Sequence, residues 1–217
     1  MQTHSEENYL KTIYKLSKLG HSKVSVKAIA DLLGNNPASV IDMLKKLTDK
    51  NLIVYQKTSG AQLTKNGALA ALNIVRKHRL WEVFLKDKLA YTWAEVHEIA
   101  EQLEHIKHPD LADRLDKFLG FPEYDPHGDP IPDALGKLPN ASKKTLAETE
   151  VDMHCRVAAV KDTSVDFLKY LQQLGIGIGT NLLIIEKISF DDSMRIQINS
   201  NHEASVSKKF AESLLVA

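Results

Sequence analysis

Val24-Ser25-Val26-Lys27-Ala28-Ile29-Ala30-Asp31-Leu32-Leu33-Gly34-Asn35-Asn36-Pro37-Ala38-Ser39-Val40 is the stretch that decides how the first third of this chain folds. The Ser25 hydroxyl can cap a helix start, and Gly34 can take the left-handed backbone that closes one. Residues 26–33 therefore read as a short helix. Asn36 is a second N-cap, and Pro37 suits the first helical position, where no amide donor is needed, so a further helix runs to about Lys50. Upstream, Tyr9, Leu10, Ile13, Leu16 and Leu19 recur at helical spacing, with Ser5 as N-cap and Gly20-His21-Ser22 as the break. Downstream, Leu52-Ile53-Val54-Tyr55 reads as a strand, Lys57-Thr58-Ser59-Gly60 as a turn and Ala61-Gln62-Leu63 as a return strand. Helix, helix, turn, helix, hairpin is the order of a winged helix-turn-helix.

Beyond the hairpin, the pattern predicts a helix over 65–90 and another over 93–106, capped by Thr92. Residues 121–139 are rich in Pro, Gly and Asp and read as irregular, and 142–150 as a polar linker. From Val151 the pattern changes to strand-like runs at 155–160, 181–188 and 194–198, interrupted by one helix at 164–174. That combination reads as a small β-barrel. The expectation is a mainly α chain of three units: 1–73, 74–141 and 151–217. No run of about 18 apolar residues exists, so no membrane span is expected. The first residues lack the basic and apolar regions of a signal peptide, and Cys155 is the sole cysteine, which excludes a disulfide framework. Both features point to the cytoplasm.

The formal net charge is zero, but it is unevenly distributed. Residues 1–77 hold 12 Lys and Arg against 5 Asp and Glu, a local +7, while residues 78–150 hold 9 against 15, a local −6. A basic first third fits a polyanionic partner. An acidic middle that carries five of the nine histidines fits cation binding.

The third helix of the winged unit would lie in the major groove, its first residues nearest the bases. Asn36, Ala38 and Ser39 are the candidate base-reading residues, and Lys27, Lys45 and Lys57, with Lys46, the candidate phosphate contacts. Asp42 would be repelled by phosphate and suits solvent at least as well as base reading. A helical protein-contact domain with solubilising lysines is the competing account.

In the acidic middle, Val96-His97-Glu98-Ile99-Ala100-Glu101-Gln102-Leu103-Glu104-His105 puts His97, Glu101, Glu104 and His105 on one helix face. His78 and Glu82 form an i, i+4 pair on the preceding helix and could meet that face if the helices pack antiparallel. Converging carboxylates repel one another unless a cation is present. The imidazole and carboxylate donors, without thiolate, suit Mn, Fe, Co, Ni or Zn. A solvated polar face is the alternative. His4, His21, His108, His154 and His202 read as surface residues.

Several of these segments in order resemble the diphtheria toxin repressor and manganese transport regulator family of metal-dependent repressors. They are Glu7-Asn8-Tyr9-Leu10-Lys11-Thr12-Ile13-Tyr14, Arg76-Lys77-His78-Arg79-Leu80-Trp81-Glu82, the His97 to His105 run, and Pro126-His127-Gly128-Asp129-Pro130-Ile131-Pro132. The resemblance covers nearly the whole chain. It implies a primary regulatory metal site of Asn8, Glu101, Glu104 and His105, and a second site of His78, Glu82 and His97, with Asp162 and Asp166 as further candidates. It also implies an SH3-like C-terminal module, a homodimer, operator DNA as partner, and control of metal-uptake genes. The Arg79 to Leu89 region, with Trp81, Val83, Phe84 and Leu85, reads from its own residues as a dimer surface or an internal core. Glu101 stands where iron-type members have cysteine, so Mn(II) is the expected metal and Fe(II) the alternative. Asn8 stands where better-known members have methionine or aspartate. Lys11 stands where some manganese regulators place glutamate, so their closely spaced pair of ions is not carried over.

A metallohydrolase built on the same His and Glu residues is the rival from another class. His97-Glu98 is not followed by the second histidine of HExxH, and Gly175-Ile176-Gly177-Ile178-Gly179 follows a helix instead of a strand, so it reads as a turn. No enzyme is expected. The remaining alternative is a metal-independent winged-helix regulator.

Overall fold

Helix caps shape the N-terminal unit of the computed structural model, which describes residues 2–18, 23–93, 95–139 and 143–217. Helix α1 (His4–Lys18) begins earlier than expected. Thr3 N donates to Glu6 Oε2 and Glu6 N to Thr3 Oγ1, a reciprocal cap that leaves Ser5 inside the helix. The expected break at Gly20-His21-Ser22, with Leu19 before it, lies outside the described residues. Helices α2 (Val26–Leu33) and α3 (Pro37–Asp49) start where Ser25 and Asn36 accept from Ala28 N and Ser39 N, and α2 stops at left-handed Gly34. Strands β1 (Ile53–Gln56) and β2 (Gly60–Leu63) pair antiparallel to form the wing. Leu10, Ile13, Ile29, Val40, Leu44, Leu47 and Ile53 close one core beneath them.

Helix α4 (Lys65–Leu89), capped by Thr64, is the spine of the molecule. Its 25 residues span about 37 Å, enough to serve two units. Ala71 and Ile74 belong to the winged core, whereas Leu80 and Val83 pack with Leu115 and Ile131, and Leu85 with Val96 and Ala100. Helix α5 (Val96–Leu103) is shorter at both ends than the expected 93–106. The Glu95 carboxylate accepts from both Thr92 N and Thr92 Oγ1, so Thr92 is not the cap. Glu104 and His105 therefore stand in the turn that follows α5. Helix α6 (Leu111–Phe118) went unread in the sequence, because its short amphipathic run depends on a partner: Arg76 holds Asp113 and Asp116, each at 2.7 Å. Within the stretch considered as a dimer surface or an internal core, Leu80, Val83 and Leu85 are buried, whereas Leu89 is exposed. Among the described residues, no helix is long and apolar enough to cross a membrane.

The C-terminal unit contains β3 (Lys144–Thr145), a 3-10 turn (Leu146–Glu148), β4 (His154–Val160), α7 (Val165–Gln173), β5 (Asn181–Ile188), β6 (Ser193–Ile198), β7 (His202–Val206), α8 (Lys208–Ser213) and β8 (Leu214–Val216). The sheet is antiparallel, in the order β3-β8-β4-β5-β6-β7. The reading of 142–150 as a linker is corrected: β3 pairs with β8 and Leu146 is fully buried in this core. A two-residue strand and one inward leucine leave no period to detect. Cys155 is buried, and burial pushes its thiol upward, which makes it inert.

The segment 121–139 is irregular, as its prolines and glycines require, but it is pinned. Asp125 Oδ1 accepts from His127 N and Asp129 N, and His127 O accepts from Val160 N of β4 at 3.0 Å. Gly128 makes this approach feasible: its φ is +81°, and a Cβ there would lie 2.0 Å from Ala158 O. Gly128→Ala should therefore cost about 2 kcal/mol, which for a chain of this size lowers the melting temperature by roughly 4–8 °C in calorimetry. An unchanged transition would show that the stretch does not need β4.

Candidate metal centre

Residues from α1, α4 and α5 and the turn after α5 converge on one polar cluster, largely buried but with Glu101 half-exposed and His97 of α5 exposed. Glu104, which has no solvent exposure, places both carboxylate oxygens on the Lys11 ammonium, at 2.9 and 2.7 Å, and Oε2 lies 2.6 Å from His78 Nδ1. Glu101 Oε1 meets the same ammonium at 2.6 Å. His105 Nε2 lies 3.8 Å from Glu104 Oε1, and its Nδ1 meets Glu7 Oε2 at 2.6 Å. The exposed His4 ring stacks on His105. Of the expected group, Glu101 and Glu104 are thus gathered on Lys11, and His105 approaches Glu104 alone; Glu101 also shares a common point with His78 and His97. Asn8, from the same turn of α1, has a buried Oδ1 without a hydrogen-bond partner among the described residues.

The other ring nitrogen of His78 opens a second group. His78 Nε2 stands 3.0 Å from Glu82 Oε1 and 3.0 Å from His97 Nδ1, and His97 Nδ1 is 3.1 Å from Glu82. The expected second set therefore meets. Behind it, His127 Nδ1 is 3.7 Å from Glu82 Oε1, and Glu82, Asp125 and His127 offer donor atoms to a common point, all three residues being buried. A cavity of about 360 Å³ opens on this group and is lined also by Lys11, Arg79 and Thr163. Asp162 accepts from Ser164 N and Asp166 is exposed, so neither is drawn into the cluster.

Electrostatics follow from crowding acids in a dry place. Burial disfavours a charged His78, yet the hydrogen bonds to Glu104 and Glu82 outweigh it and raise the imidazole to about 9. Burial likewise opposes ionisation of Glu82, but hydrogen bonds from His127, His78 and His97 hold it far below the carboxylate range. Asp125 is pushed up to about 7, first by burial and then by the charges of Glu82 and Asp129. Imidazole nitrogens, carboxylates and an orphaned amide oxygen, with no thiolate, form a donor set that fits a divalent first-row metal.

Glu7, Lys11, Asp125 and His127 belong to this cluster, and none was chosen as a site residue from the sequence. Glu7 and Lys11 share one face of α1 at i, i+4, a signal whose meaning depends on the tertiary contacts to His105 and Glu101. His127 sits in a loop, where no periodicity points.

On the winged unit, Lys27, Asn36, Ala38, Ser39, Lys45 and Lys57 are all exposed. Asn36 Oδ1 is spent on Ser39 N, which leaves its amide NH2 free to reach out. Asp42 pairs with Lys45 at 3.3 Å in solvent.

Residues 1–61 match the model described as iron dependent repressor, N-terminal DNA binding domain; 64–133 match its metal binding and dimerisation domain; and 144–217 match the FeoA domain. The chain is 34% identical over 159 residues to the iron-dependent repressor IdeR of Mycobacterium leprae (strain TN), covering 71% of this chain and 69% of that one. It superposes with a TM-score of 0.88 on a manganese-dependent transcriptional repressor in complex with manganese, at 33% identity over 97% of this chain and 98% of that one. The repressor ScaR with bound Zn2+ gives 0.79 at 33% identity, covering 98% of each chain.

The folded value of His78 lies above the ordinary 6.5, so its stabilisation is complete below pH 6.5 and is lost as pH rises through about 9. In metal-free protein the melting temperature should fall across that window. Glu82→Gln should lower the His78 imidazole midpoint by about one unit, followed by NMR. An unmoved midpoint would remove Glu82 as its partner.

Proposed function

The chain belongs to the iron-dependent repressor family, and from that premise we propose that it is a homodimeric, DNA-binding transcriptional repressor activated by a divalent transition metal, Mn(II) foremost and Fe(II) second. The observation that carries this reading is that Glu101, Glu104 and His105 all contact α1 of the winged unit, through Lys11 and Glu7, with Glu104 and His105 buried. Asn8, Glu101, Glu104 and His105 would hold the regulatory ion. His78, Glu82 and His97 would hold a second, with Asp125 and His127 placed to complete it. When bound, an ion would supply positive charge to carboxylates that Lys11 and His78 otherwise neutralise.

Mechanically, α1 carries the winged core on one face and the metal cluster on the other. Fixing α1 against α4 and α5 fixes where α3 points. In a dimer the two α3 helices would then stand one helical turn of DNA apart, about 34 Å, and enter successive major grooves. Metal and DNA affinity would rise together, since coupling between sites is reciprocal. The exposed Phe118, Phe121 and Leu89, with Phe84 against Phe118, support a dimer face on this side. Operators of metal-uptake genes are the proposed targets.

Glu104→Ala should abolish Mn(II)-dependent operator binding in fluorescence anisotropy while circular dichroism stays native. Full Mn(II) stimulation in that variant would exclude the primary site. Equilibrium dialysis should find stoichiometric Mn(II) on the wild-type protein, whereas a metal-independent regulator would take up none. Lys45→Ala should weaken binding to every sequence and reduce the salt slope by about one. A constant slope would remove Lys45 from the phosphate contacts.

A further inference from the structure

Lys11 sits at the centre of the carboxylate cluster. Its Nζ is 2.6 Å from Glu101 Oε1 and 2.9 and 2.7 Å from the two oxygens of Glu104, with His78 Nδ1 at 3.5 Å. An ammonium has three N–H donors, and here they all face groups assigned above as ion ligands. The side chain is 19% exposed and Glu104 is fully buried, so water screens the pair poorly. The contact also spans units: it joins α1, 90 and 93 positions away in sequence, to Glu101 on α5 and to Glu104 just after it.

An exposed Lys–Glu pair contributes little and forms by chance, but this one has the opposite character. One cation bridges two acids that would otherwise repel, and it ties together the two elements whose docking is the proposed switch. We infer that Lys11 is a built-in counter-ion of the regulatory site. In the metal-free protein its ammonium holds α1 against α5, and Lys11 has to withdraw before Glu101 and Glu104 can close on a divalent ion. The four-carbon stem gives it the reach to swing toward the adjoining cavity, which Lys11 already lines beside Lys15 and Lys18. Two consequences follow. The metal threshold is set higher than the carboxylates alone would set it, and the metal-free chain keeps part of the docked geometry. This inference rests on the metal-repressor reading.

The test compares full-length wild type with Lys11→Met, Lys11→Gln and Lys11→Arg, titrated with Mn(II) in a calorimeter. The metal-free proteins are followed by hydrogen–deuterium exchange over α1. Met and Gln should bind Mn(II) about tenfold more tightly, since no charge-assisted contact has to be broken first. Both should exchange α1 amides faster without metal, and Arg should do neither. Gln can still donate to the same carboxylates, so it preserves the comparison if the Met variant folds poorly. Equal Mn(II) affinity in wild type, Met and Gln, or α1 exchange that ignores the charge at position 11, overturns the counter-ion role while the repressor reading stands. Absence of Mn(II) uptake by wild type and variants alike overturns the repressor reading instead, and the exchange step with it.

Discussion

Buried negative charge at the junction of α1, α4 and α5 is the constraint on which this molecule turns. Glu7, Glu82 and Glu104 lie out of solvent within reach of one another's partners, and carboxylates cannot be left so without positive charge or donated hydrogen bonds. The fold answers with Lys11, a His78 imidazole raised to about 9, His105 and His127. Each of these partners comes from a different part of the chain from the acid it serves, or from the next turn of a helix, so neutralising the charge also assembles the tertiary structure.

The geometry of α4 makes that local chemistry matter elsewhere. The helix is shared by the winged core and the helical core, and His78 stands between the Glu104 and Glu82 groups with one ring nitrogen toward each. Whatever holds the Glu104 side of His78 therefore bears on the Glu82 side. Helix α1 meets α4 and α5 through Lys11 and Glu7 while Leu10 and Ile13 remain in the winged core. Helix α1 is thereby common to the winged core and the polar cluster.

The C-terminal unit reaches the same cluster through the pinned segment 121–139. Hydrogen bonding of Val160 N to His127 O fixes the loop that delivers His127 and Asp125 behind Glu82, and Trp93 stacks on the His127 ring while packing against the C-terminal core. The small barrel thus buttresses the group formed by Glu82, Asp125 and His127.

Sequence alone determined what depends on neighbours a few positions apart. The caps at Ser25, Gly34, Asn36 and Pro37 place α2 and α3 almost to the residue, because capping is satisfied within a single turn of backbone. The His and Glu residues of α4 and α5 were visible for the same reason, since i, i+4 spacing is a property of one helix. Tertiary structure decided the rest. Helix α5 stops at Leu103, so Glu104 and His105 approach from a turn, and the two-residue strand β3 exists only because it pairs with β8. Lys11 and Glu7 became part of the site only when α1 met Glu101 of α5 and His105 after it, 90 and 98 positions away, and His127 only when a loop was fixed against β4. No local pattern encodes such meetings: the energy that selects them is the neutralisation of buried charge, which exists only after the chain has folded.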